Sequence, residues 1–236
     1  MTIVPQAGLA AIAAVALGIG LSGCSSGSSG EGSDAAATST TTSESVATSA
    51  APTPTTPPPA AAAPGMTIEQ YAAENGIVAT PVLQGDPGAP TITLPLPQGW
   101  ESAGPRGPEG AYDALIYTAP PPSPTPPTIV AVVTKLTGNV DPAKILELAP
   151  NETRNLPDYE GAEAGKPTNL SGFDATQIGG FYTKDGVKLL VAQKTVVIPA
   201  EDGLFVLKIT AEGSEEQAYP LMDATASIDE QTTITP

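Results

Sequence analysis

The chain has no histidine, and its one cysteine is Cys24. Without histidine there can be no Ser-His-Asp triad, no Cys-His pair and no imidazole zinc site. Cations are scarce as well. Nine Lys and Arg stand against 25 Asp and Glu, giving a formal net charge of −16. No run of Lys or Arg interrupts the acidic character. Such a chain is repelled by phosphate backbones and anionic lipid heads, so nucleic acid is not a partner and a polybasic membrane patch is absent. Aromatics make up only 4% of the residues, which leaves the core to Val, Ile, Leu and Ala. There is no phosphate-cradling glycine loop, since Gly179-Gly180 falls among strands and not before a helix. No cofactor is expected.

Long apolar runs are also missing, with one exception. Ala7 to Leu21 is apolar apart from Gly and carries no charge. As a helix it spans roughly 22 Å at 1.5 Å per residue. That is short of the ~30 Å hydrocarbon core, so the segment reads as a signal peptide and not as a permanent span. Met1 to Gln6 holds no Lys or Arg, whereas signal peptides usually start positive. The run ends in Leu21-Ser22-Gly23-Cys24, which resembles a bacterial lipobox. The resemblance implies that the Cys24 thiol takes a diacylglycerol, that the chain is cut before it, and that the new amine can take a further acyl group such as palmitate. The small residues Ser22 and Gly23 let extended backbone enter a peptidase cleft. The competing reading, a buried cysteine after a core helix, is disfavoured because the residues after Cys24 cannot form a packed core.

From Ser25 to about Pro64 the chain is nearly all Ser, Thr, Ala, Gly and Pro. It cannot bury enough apolar surface to offset ordering entropy, so it reads as a disordered tether. About 40 such residues have a root-mean-square span of roughly 35 Å. Plain spacer and O-glycosylated stalk are both compatible with the composition. Three regions result: signal peptide 1–23, lipidated Cys24 and tether 24–65, and a globular domain 66–236. The last is long enough for one real core.

Within the domain, Thr67-Ile68-Glu69-Gln70 is a capping box that predicts a short helix stopping at Asn75-Gly76. Strands are predicted over Ile77–Leu83, Thr91–Leu96, Ala111–Tyr117 and Thr128–Leu136. Asp141-Pro142 opens a second helix expected to end near Pro150. Phe173–Phe181, Val187–Ile198 and Leu204–Ala211 read as strands joined by Asp- and Gly-bearing turns. A second capping box, Ser214 to Gln217, opens a helix with Ala218, Leu221, Met222 and Thr225 on one face. Ile228 to Pro236 reads as weak strand or coil. The order implies an α+β fold, an antiparallel sheet packed with helices.

Three landmarks carry a family resemblance: Gly85-Asp86-Pro87-Gly88-Ala89-Pro90 before an Ile-x-Leu-Pro strand, the phrase Leu96-Pro97-Gln98-Gly99-Trp100, and the Gly172-Phe173 to Lys194 hairpins followed by Leu204 to Thr210. With the lipobox, they resemble the LpqN/LpqT-type lipoproteins of actinobacteria, over roughly Thr67 to Ile228. The resemblance implies an α/β/α-type sandwich related to Mog1/PsbP-like domains, an exported place in the cell envelope, and no established enzyme activity.

Carboxylates are the one catalytic chemistry left, since a glycosidase needs only two. Asp113, Asp158, Glu160 and Asp174 are candidates by type, with surface solvation as their default role. Asp141 reads as a helix cap and not a calcium ligand. Trp100 is either a structural plug at the sheet edge or the wall of a ligand groove, with Tyr112 as its candidate companion. Tyr112 and Tyr117 are expected on opposite faces of one strand. The functional reading is a lipid-anchored protein at the outer face of the cytoplasmic membrane, acting as a non-catalytic module for an envelope lipid, a glycolipid or a membrane protein. A carboxylate-only hydrolase and a purely structural subunit of an envelope machine remain as alternatives.

Overall fold

A computed structural model describes residues 64–236. The segment Leu21 to Cys24 and most of the tether lie outside the described residues. The domain begins at a clamp. Gly65 donates its N–H to Asn155 Oδ1 at 2.9 Å, and its carbonyl accepts from Asn155 Nδ2 at 2.7 Å. Asn151 Nδ2 donates to the Met66 carbonyl at 2.7 Å.

The elements run in order: α1 (Ile68–Glu74), β1 (Val78–Val82), β2 (Thr91–Thr93), β3 (Trp100–Ser102), β4 (Asp113–Tyr117), β5 (Thr128–Thr137), α2 (Pro142–Leu148), α3 (Pro150–Arg154), β6 (Glu160–Gly161), β7 (Lys166–Leu170), β8 (Phe173–Lys184), β9 (Val187–Ala200), β10 (Gly203–Ser214), α4 (Ala218–Gln231) and β11 (Thr233–Thr235). Nine strands form one antiparallel sheet along the path β3-β4-β5-β10-β9-β8-β6. β1 shares an edge of β5 with β4, and β7 shares an edge of β8 with β6. β2 and β11 form a separate pair.

Alternation along the long strands divides the interior into two layers. Ile129, Ala131 and Val133 of β5, with Phe205, Leu207 and Ile209 of β10, face α4 and its Leu221, Ala224 and Ile228. Leu204 and Val206, one register step away, face the other side with Leu136 and Val197. They pack there on Ile68 and Ala72 of α1 and on Ile145 and Leu148 of α2. The result is the α/β/α arrangement, α4 on one face and α1 to α3 on the other.

Local chemistry explains most element ends. Both arms of the Thr67/Gln70 capping box form, and Asp141 caps α2 by accepting from the Ala143 N–H. Asp185 and Gly186, both at positive φ, make the tight β8–β9 turn. α2 does end near Pro150, at Leu148, but not because the residue before the proline leaves the helical region. Ala149 stays in the right-handed helical region, and Pro150 opens α3, where a first-turn proline sacrifices no hydrogen bond. β2 stops at Thr93, short of Leu96, ahead of Pro95 and Pro97, which cannot donate to a ladder. The α4 face is Leu221, Ala224 and Ile228; Met222 is 63% exposed. The helix also runs through Ile228 to Gln231, leaving only β11 as terminal strand. Gly179-Gly180 lies within β8, and a Cβ on Gly180 would stand 2.5 Å from the Glu160 carbonyl oxygen of β6.

Candidate functional site

Among the described residues, a cleft lies between α4 and the half of the sheet that α4 does not seal. It encloses about 500 Å³. Its floor is Gly179 of β8, Ala192 and Lys194 of β9, and Ile209 and Ala211 of β10. Met222, Ala226, Ile228 and Asp229 of α4 form one wall, and Ala162, Ala164 and Lys166 form the other. The small residues create the space: at Gly179, Ala192 and Ala211 no branched side chain fills the layer beneath the helix.

One ion pair crosses this cleft. Lys194 Nζ lies 2.5 Å from Asp229 Oδ1, with the lysine side chain only 9% exposed and the aspartate side chain 43%. A lysine is rarely so deep in a sheet unless paired. The pair therefore couples α4 to β9 and sets a polar point in an otherwise apolar floor. On the opposite face Gln193 is also buried. Its amide donates to the Ala149 carbonyl at 3.2 Å and to Thr195 Oγ1 at 3.2 Å, and its oxygen accepts from Thr153 at 3.1 Å. The triplet Gln193-Lys194-Thr195 interrupts an apolar strand, and that interruption was the available sequence signal for the cleft.

A second cleft, of about 430 Å³, lies at the corner Pro97 to Trp100, closed by Tyr117, Pro220, Asp223 and Ser227. Trp100 stands opposite Tyr117 in the β3–β4 register. Their ring centroids are 5.5 Å apart and tilted by 59°. Trp100 is 5% exposed, so only an edge of the indole reaches the cleft. Tyr112 is not among the residues lining it. That ring is buried too, and its hydroxyl donates to the Pro90 carbonyl at 2.7 Å and accepts from the Ile92 N–H at 3.2 Å. The expected opposition of the two tyrosines is corrected. Both pack on the same core cluster, because Tyr112 precedes β4 and strand alternation does not reach it.

A third cleft, of about 320 Å³, lies under α1 and holds the Lys208–Glu152 pair at 2.7 Å.

The candidate carboxylates are dispersed. Asp113 on β4 is four strands from Asp174 on β8, about 19 Å at 4.8 Å per strand. Glu160 sits opposite Phe181, seven residues along β8 from Asp174, or about 23 Å. Both separations far exceed the ~5–9.5 Å of a glycosidase pair. Asp158 and Glu160 are two residues apart, and Glu160 is already engaged by Lys188 at 2.5 Å. Among the described residues no three His, Cys, Asp or Glu side chains gather in a metal-holding group. Two phenols are perturbed. Burial raises the pKa of Tyr159, whose hydroxyl donates to the Gly179 carbonyl at 2.9 Å. Burial also raises that of Tyr182, aided by its hydrogen bond to Glu212. Neither group lines the α4 cleft.

Comparison with known proteins agrees with this architecture. The family model described as "Probable lipoprotein LpqN" matches residues 64–235. Lipoprotein LpqN of Mycobacterium tuberculosis (strain ATCC 25618 / H37Rv) is 49% identical over 176 residues, covering 75% of this chain and 77% of that protein. A crystal structure of LpqN of Mycobacterium tuberculosis, described as involved in cell envelope biogenesis, matches with a TM-score of 0.69 at 48% identity. It covers 74% of this chain and 100% of the crystallised chain. The large antiparallel sheet, the flanking helices and these matches together place the chain in the LpqN lipoprotein family.

Proposed function

We propose that this chain is exported, cut before Cys24 and lipidated there, and that residues 66–236 act as a non-catalytic binding module at the outer face of the cytoplasmic membrane. The observation that carries the binding role is the apolar cleft beneath α4. Its size lies within the ~300–1,000 Å³ of small-molecule sites, and its walls are mostly carbon with a few fixed polar atoms. An envelope amphiphile fits that description better than a sugar, which needs more hydrogen-bonding groups, or a reacting substrate, which needs converging acids. The lipobox supports the anchor, as does membership in a lipoprotein family. The relative's described part in cell envelope biogenesis supports the setting. In an acidic protein attachment rests on acyl chains, at ~0.8 kcal/mol per buried CH₂.

Native mass spectrometry of the protein isolated from membranes tests both halves. The expected covalent mass starts at a diacylglyceryl-modified Cys24. The expected spectrum also shows a non-covalent adduct that returns when residues 25–236 are mixed with envelope lipid extract. Residues 1–23 still attached, or an unmodified thiol, would sink the anchor. A domain that stays bare through the extract titration would sink the binding module and favour a purely structural subunit.

A further inference from the structure

We propose that the cleft beneath α4 selects a single-chain amphiphile with an anionic head, a fatty carboxylate, and that Lys166 is the counter-ion of that head. The inference rests on the reading of the domain as a binding module and names its ligand class.

All seven lysines lie among the described residues. Six form ion pairs: Lys135 with Asp202, Lys144 with Glu147, Lys184 with Glu212, Lys188 with Glu160, Lys194 with Asp229 and Lys208 with Glu152. In a domain so rich in carboxylates, Lys166 alone has none of the described residues' carboxylates within ion-pair distance. It is also the lysine that lines the apolar cleft without a partner. Its position is fixed by register. Lys166 opens β7 opposite Gln177 of β8, so it shares the α4 face with Ala175 and Gly179, the neighbours of Gln177 on that side of the pleat.

Charge balance then decides the head group. The titratable groups lining the cleft are Lys166, Lys194 and Asp229. Asp229 neutralises Lys194, which leaves one positive charge, at the mouth. A cationic head would be repelled there. A neutral head would accept a hydrogen bond from the ammonium but form no ion pair. A carboxylate gains a charge-assisted hydrogen bond. The negative excess elsewhere on the domain is screened beyond roughly 8 Å at physiological salt. Behind Lys166 the floor of Gly179, Ala192, Ile209 and Ala211 offers an apolar track, and the exposed thioether of Met222 can re-pack along a chain.

Calorimetry on residues 25–236, with probes held below micelle formation, tests this. Dodecanoate should bind one to one. Dodecyltrimethylammonium should bind at least about fivefold more weakly, and Lys166→Gln should weaken dodecanoate by about threefold to fivefold, the range of an exposed ion pair. The same substitution should leave the neutral glycerol monolaurate unchanged, and Lys184→Gln should change nothing. Ala226→Trp, on the cleft wall, should abolish binding of every probe. Unchanged dodecanoate binding in Lys166→Gln or Ala226→Trp would overturn the proposal. So would glycerol monolaurate or dodecyl phosphate binding more tightly than dodecanoate; in those cases the binding-module reading survives. If no probe binds, the proposal falls, and the module reading falls with it only if envelope lipid extract also leaves the domain bare.

Discussion

Trp100 is the residue whose role the sequence left divided between plug and groove wall. At 5% exposure, tilted on Tyr117, it is a core residue with one edge at a cleft. Trp100→Ala should therefore cost about 3–5 kcal/mol, much of a typical 5–15 kcal/mol stability. As the only tryptophan, its emission should be blue-shifted and shielded from aqueous quenchers. A red, quenchable emission would contradict the burial. Tyr182 carries a different signature. It is buried on β8, and its hydroxyl donates to Glu212 of β10, which also holds Lys184 at 3.0 Å. Burial, then the Glu212 hydrogen bond, then the charges of Glu212 and Asp185 raise its pKa above the usual phenol value. The folded state thus keeps this proton after the unfolded chain has lost it. The contribution is complete below about pH 10, the unfolded value, and is lost as pH rises through the folded one. Urea midpoints measured from pH 7 to pH 11 should fall above pH 10, and the fall should be shallower in Tyr182→Phe. Equal slopes would remove Tyr182 from the explanation. The plug reading of Trp100 was available from the sequence, but the Tyr182 network was not, because the partner of Tyr182 is 30 positions away and lies across β9.

Among the elements, α4 joins stability to the proposed site. It is held by Leu221, Ala224 and Ile228 and by the Asp229–Lys194 pair. Asp229→Asn leaves Lys194 nearly buried and uncompensated. It should cost about 1–3 kcal/mol, less than the ~3–5 of a fully buried pair because Asp229 is partly exposed. Adding Lys194→Met should recover much of that loss in denaturant melts. A double variant as unstable as the sum of the singles would show that the pair is not coupled. Elements with strong local signals were readable in advance: α1 and α2 from their caps, β8 to β10 from alternation and the Asp185-Gly186 turn. β6 and β7 were not. They are short, polar edge strands, and β7 carries Pro167, which only an edge tolerates. α3 was hidden because Pro150 reads equally as the end of one helix or the start of the next.

At the scale of the molecule, the class of fold was legible because the order of strong elements admits few topologies. The lipobox reading rests on a contiguous motif, Leu21 to Cys24. The α4 cleft was not legible, since its walls come from residues 162–166, 177–179, 192–194, 209–211 and 222–229, which only the β8–β9–β10 pairing brings side by side. The separate β2–β11 pair has a consequence in time. Ile92 and Ile234 stand opposite one another, 142 residues apart in the chain. At roughly 5–20 residues per second of synthesis, the two halves of that clasp are made about 7 to 28 s apart. Ile92 waits for its partner strand through that whole interval, while the β8–β9 hairpin needs only its own two strands to pair. Sealing of the layer under α4 thus waits on a contact of far longer range than any within the β8–β9–β10 meander.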